Sequence, residues 1–293
     1  MDVDIALDAH AIIGESPTWS AAEHVLYWID IKKPALYRFD PRGGNSRSWS
    51  LTSDVGAFAL IGKGAALVAL RHGIHRLDLT TGELTLLAPP PFDPALFRFN
   101  EGLCDPSGRF WVGVMFDPID GSPPPQRASL HSFTLGGGLR REPDRAELHN
   151  GMALSADARQ FFLSHSYEGA IYVFAFDCDT GIRGPGELFA RLPKGLGVPD
   201  GAALDAEGCY WCAIHGSGRL LRYRPDGQVE REVLLPVSQP TMCAFAGDDL
   251  ETLYVTSASD GLDAARLRAE PHAGALLRLR PGVKGIARPH VVI

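Results

Sequence analysis

The chain has 293 residues and a formal charge of −7, and it contains no long run of Lys or Arg. A chain of that sign without a basic tract has nothing to follow a phosphate backbone or an anionic lipid surface, so neither nucleic acid nor a membrane is an expected partner. No apolar stretch approaches the ~20 residues of a membrane-spanning helix. The opening, MDVDIALDAH, carries two aspartates in its first four residues, where a secretory leader would carry basic and then apolar residues. Cysteine is sparse and odd in number, with Cys104, Cys178, Cys209, Cys212 and Cys243. That argues against a disulfide framework and for a reducing compartment, so a cytoplasmic protein is expected. Cys209 and Cys212 form a C-x-x-C, but inside CYWCAI, which reads as a strand, an odd separation sends the thiols to opposite faces. They are expected to be buried structural thiols. There is no G-x-S-x-G elbow, no H-E-x-x-H and no dinucleotide or P-loop fingerprint. Long amphipathic helical patterns are missing too.

What the chain does have is a repeat. HVLYWIDI (24–31), AALVALR (65–71), GRFWVGVM (108–115), RQFFLSHS (159–166), GCYWCAIH (208–215) and ETLYVTSA (251–258) share an aromatic or aliphatic strand pattern. Each precedes a second strand, from PALYRFDP (34–41) to GALLRLRPG (274–282), and several of these close on Asp, Pro or Gly turn residues. Six hairpins spaced by a propeller-blade repeat predict an all-β fold, a six-bladed β-propeller with four-stranded antiparallel blades, in one domain over 1–293. A β-sandwich would also show short strands and turns, but not six matched hairpins. Closure is expected where VDIAL (3–7) and HVVI (290–293) complete one blade.

Upstream of each hairpin lies another short strand: ESPTWS, VGAFAL, NEGLCD, NGMALS, DGAALD and QPTMCA. Their first residues are Glu15, Val55, Asn100, Asn150, Asp200 and Gln239. Innermost strands of a propeller line its channel, so equivalent positions form a ring around the axis. Five of these six side chains bear oxygen and none is Cys or His, a set suited to a hard divalent cation in the central channel. Asn-Gly and Asp-Gly are also favoured turn dipeptides, which accounts for Asn150 or Asp200 taken singly but not for a common register.

GESPTW, RFNEG, HNGMALSADA and PDGAALDAEGCYW, in that order, make the chain resemble the SMP-30/gluconolactonase/regucalcin family from Gly14 to the last repeat. The resemblance implies metal-dependent hydrolysis of a sugar lactone to the open-chain aldonic acid by a monomer or weak oligomer. It implies Glu15, Asn150 and Asp200 as ligands of one divalent cation (Ca, Zn, Mn, Mg or Fe), and Asp200 as general base. Arg98, Asn100 and Glu101 are implied as the substrate-binding set. Glu101 stands where relatives carry Asp, and Asp117 follows GVM where the family places a sugar-contacting carboxylate. Arg98 is alternatively a loop brace paired with a carboxylate such as Glu101. His165 and His215 end strands near the same mouth, and each is either a channel imidazole or a hydrogen-bonded core histidine. Two other readings stay open: a propeller that binds calcium or another ligand without turnover, and a hydrolase of other esters or phosphotriesters.

Overall fold

The computed structural model describes residues 2–121 and 123–289. Six four-stranded antiparallel sheets follow one another along the chain as the blades of a propeller. The innermost strands, in blade order, are Gly14–Ser20, Val55–Ile61, Phe97–Cys104, His149–Leu154, Val198–Leu204 and Pro240–Ala246. Blade 6 takes Pro240–Ala246, Thr252–Ser257 and Leu276–Leu279 from the C-terminal part of the chain and its outer strand, Val3–Leu7, from the N-terminal part. The expected closure through VDIAL is present; HVVI lies outside the described residues. Among the described residues one short α-helix, Ala264–Ala269, capped by Asp263, interrupts the strands.

The second strand of each blade is covered on both faces by neighbouring blades, which is why it reads as an unbroken apolar run. Trp28, Phe110, Trp111, Phe161, Tyr210 and Trp211 are all at most 2% exposed there. Each fully buried large side chain of this kind contributes about 1.5–3 kcal/mol. Two of the tryptophans are tethered by the turn that precedes them. Asp105 accepts from Trp111 Nε1 (3.0 Å) and from the Ser107 and Arg109 amides, and Asp205 accepts from Trp211 Nε1 (2.8 Å) and from the Glu207 and Cys209 amides. The motif D-x-x-G-x-x-W thus fixes the inner hairpin of blades 3 and 5 in the same way.

Cys209 and Cys212 are buried, and all five thiols are free. Among the described residues no helix is long and apolar enough to cross a membrane.

After blade 6 the chain crosses beneath the ring. The Gly285 amide donates to Leu250 O (2.8 Å) and the Ile286 amide to Leu204 O (3.1 Å). This brings Arg288 under the channel, where its guanidinium meets Gly102 O, Pro17 O and Met242 Sδ from the inner strands of blades 3, 1 and 6. A group that touches three blades at once sits on the axis.

Candidate active site

All six inner strands break their pairing register at the same height: between Glu15 and Thr18, Val55 and Ala57, Asn100 and Gly102, Asn150 and Ala153, Pro199 and Ala202, and Pro240 and Cys243. A bulge inserts an extra residue and re-aims the side chains beside it. In blades 1, 3 and 4 the bulge residue is left-handed, with φ 54° at Ser16, 47° at Glu101 and 62° at Gly151. For Ser16 and Glu101 that conformation costs about 1–3 kcal/mol each, a strain typical of functional sites. The bulges surround a cavity of ≈ 210 Å³ lined by Glu15, Arg98, Asn100, Asn150, Asp200, His215 and Thr241, with Ile13, Met115 and Tyr167 among its other walls.

Hydrogen bonds fix the orientation of both asparagines. Arg98 Nη1, which can only donate, lies 2.8 Å from Asn100 Oδ1. The Asn100 amide nitrogen therefore faces the other way and donates to Asn150 Oδ1 (2.7 Å) and His149 O (3.1 Å). At the far end Ser166 Oγ donates to Pro199 O (2.7 Å), so it must accept from Asn150 Nδ2 (2.9 Å). The relay is locked from both ends. It leaves one lone pair of Asn150 Oδ1 unspent.

Arg98 donates Nε to Asp117 (3.0 Å) and Nη1 to Phe99 O and Asn100. Asp117 also binds Lys32 and Arg71, so its Oδ2 meets three cations. Arg98 Nη2 has no protein partner among the described residues and belongs to a side chain that lines the cavity.

Three carboxylates are buried around this point. Burial raises the Glu15 carboxyl to about 7, against the pull of its hydrogen bond from the Ser16 amide and of Arg288 and Arg98. Burial, then the charges of Glu15 and Glu101, push Asp200 well above its ordinary range. Glu101 rises to about 8, through burial and then the charge of Glu15. Ionised, the three carboxylates carry three negative charges that the Arg288 and Arg98 guanidinium groups offset only in part, an excess that a divalent cation would neutralise. Two carboxylates and an amide oxygen facing one cavity are hard donors, so the residues present fit such an ion.

The SMP-30/Gluconolactonase/LRE-like sequence profile matches residues 13–259. The chain belongs to that family. It is 39% identical over 290 residues to a 6-deoxy-6-sulfogluconolactonase of Pseudomonas putida, an alignment covering 95% of this chain and 94% of the relative. Regucalcin of Gallus gallus is 33% identical over 94% of this chain and 93% of its own. Among solved structures, a calcium-binding regucalcin from Agrobacterium tumefaciens superposes with a TM-score of 0.91 at 28% identity, covering 99% of this chain and 97% of that one.

In this member of the family, five of the six residues singled out from sequence meet at one cavity: Glu15, Arg98, Asn100, Asn150 and Asp200. Glu101 does not line it. Its left-handed backbone turns the carboxylate onto the Gly151 and Met152 amides, both 2.6 Å away, so it clamps blade 3 to blade 4. The brace on Arg98 is Asp117 and not Glu101. His165 turns away from the cavity to Asp144 (2.9 Å), whereas His215 does line it, its imidazole held below the ordinary value by burial. In blade 6 the cavity residue is Thr241, two positions beyond Gln239.

Sequence reasoning missed Arg288, Ser166 and Tyr167. Arg288 belongs to no repeat. Ser166 and Tyr167 sit in a 3-10 turn, Ser166–Glu168, with no counterpart in the other blades among the described residues.

Proposed function

We propose that this protein hydrolyses a sugar lactone to the open-chain aldonic acid, with Glu15, Asn150 and Asp200 holding one divalent cation and Asp200 serving as general base. The observation that carries this reading is the meeting of oxygen donors from four inner strands, together with a partly unspent guanidinium, at one cavity. The names of the relatives, a sulfogluconolactonase among them, agree with it. A cation bound there supplies Lewis-acid polarisation of the lactone carbonyl. Arg98 offers Nη2 to a substrate oxygen, its other donors being occupied. Asn100 holds the Asn150 oxygen in place. Asp200, kept ionised by the neighbouring positive charge, accepts a proton as water adds to the carbonyl carbon. It returns that proton to the ring oxygen as the ester C–O bond breaks, leaving a carboxylic acid and a free hydroxyl.

The test is a panel of aldonolactones, including the 6-sulfonated gluconolactone of the relative's name, crossed with Ca²⁺, Mg²⁺, Mn²⁺, Zn²⁺ and Fe²⁺ and followed by acid release. At least one combination is expected to turn over, and to lose turnover with a chelator. Full-rate hydrolysis by thoroughly demetallated protein ends the cation mechanism. Tight cation binding with no turnover across the panel replaces the enzyme with a calcium- or ligand-binding propeller.

A further inference from the structure

A second group of ligand atoms lies outside the channel, between blades 3 and 4. Asp144 belongs to the outer strand Gly138–Ala146, His149 opens the inner strand His149–Leu154, and His165 ends the neighbouring strand Gln160–His165. Their ligand atoms lie within 4.8 Å of one another. Both imidazoles present Nε2 to the same oxygen, Asp144 Oδ1, at 3.1 Å from His149 and 2.9 Å from His165.

The second nitrogen of each ring decides what this cluster needs. His149 Nδ1 is 3.1 Å from Val114 O, a carbonyl that can only accept, so Nδ1 carries the proton. In the neutral ring, Nε2 is then a lone pair facing a carboxylate oxygen inside the protein, where His149 is 0% exposed. Two lone pairs at 3.1 Å require a positive charge between them. A second proton on His149 supplies that charge for one contact; His165 Nδ1 is buried without a hydrogen-bond partner in either case. A metal ion placed between the three ligand atoms supplies the charge to both rings through one centre. It would use the two Nε2 atoms and Oδ1, with Val114 O behind His149 and the Glu168 carboxylate, 3.5 Å from His165 Nδ1, behind the other ring. A carbonyl or carboxylate behind each ligating imidazole is the usual outer support of such sites.

We propose that Asp144, His149 and His165 form a second metal site, for a borderline transition ion of the Zn²⁺ kind, distinct from the oxygen-donor site on the axis. Two imidazoles and a carboxylate are a common zinc set, whereas the channel donors are all oxygen. A tetrahedral ion with bonds of about 2.0 Å has donor–donor edges of about 3.3 Å, so spacings of 2.9 and 3.1 Å need only small adjustment. Entry is from the side of Asp144 and His165, whose side chains are 12% and 11% exposed. The ion would pin the first residue of the blade 4 inner strand, whose carbonyl takes the Asn100 amide and whose next residue is Asn150. The inference stands independently of the lactonase reading.

The experiment is Zn²⁺ uptake by chelator-stripped full-length protein, measured by competition with a chromophoric chelator and by metal analysis after desalting. His165→Gln and Asp144→Asn are each expected to lose one equivalent that Asp200→Asn retains. X-ray absorption of the Zn²⁺-loaded Asp200→Asn protein is expected to show two imidazoles in the ligand shell, which keeps the question decidable if either triad variant fails to fold. Uptake that is the same in wild type, His165→Gln and Asp144→Asn, or a shell of oxygen alone, overturns the site.

Discussion

Asp200→Asn preserves the shape of the side chain and removes its charge, so it separates chemistry from packing. Turnover of any lactone substrate is expected to fall by about 10²–10⁴-fold, with the thermal unfolding midpoint of the chelated protein unchanged or raised, because a buried carboxylate is removed. Steady-state kinetics and a thermal melt check both halves. The pH dependence has a definite sign. Glu15 has a folded value near 7 against an ordinary 4.5, and Asp200 is shifted the same way. An acid whose folded value is raised holds more protons folded than unfolded in that interval, so metal-free stability falls as pH rises from about 4.5 through about 7. A divalent cation reverses the burden, and the melting-point gain on adding it is expected to grow over the same interval; a gain that shrinks with rising pH counts against these carboxylates as ligands. Glu15, Asn150 and Asp200 were legible because they stand at one offset in a repeat. Glu101 was not, because the sequence puts it beside Asn100, while a backbone φ of 47° sends its side chain elsewhere. His165 ends its strand near the mouth, yet Asp144, from the adjacent blade, claims its ring.

At the level of the strand, the bulge is the working part. A Cβ on Gly151 would stand 2.2 Å from Ser164 Oγ and 2.4 Å from the Tyr210 hydroxyl, on a left-handed backbone. Gly151→Ala is expected to cost about 1–3 kcal/mol in urea unfolding and to weaken cation binding as well, since Asn150 moves with the strand. Asn-Gly here is therefore a strand bulge and not a turn. Asp205 carries a different load: it holds the Trp211 indole and the Arg222 guanidinium, both bonds 2.8 Å. Asp205→Ala leaves the buried Trp211 indole and the Cys209 amide without their acceptor, while Arg222 keeps Glu207 and Glu230, and is expected to destabilise the protein by about 1–3 kcal/mol, readable as a shift in urea midpoint. Strand existence was plain in the sequence because residues such as Trp28 and Trp211 are covered on both faces. The bulges were invisible there, because a register break is a property of the paired backbone and leaves no fixed residue behind: Val55, Asn100 and Pro240 all flank one.

Across the whole molecule, the segment beneath the ring and the strand that closes it act over distances no local pattern reports. Arg288 offsets part of the charge of Glu15 and Glu101 from below. Arg288→Gln is expected to lower the melting point of the metal-free protein more than that of the loaded protein, and to tighten cation binding, since one repelling charge is gone. Equal losses in both forms count against that role. VDIAL was recognisable as a strand, but its partner became certain only when Val3 paired with Leu279. That pairing joins segments separated by almost the entire polypeptide. At ribosomal speed the Val3–Leu7 strand emerges on the order of tens of seconds before its partner exists. Throughout that wait the nascent arc presents an open flank at each end, and only the later Leu276–Leu279 stretch can make it a circle.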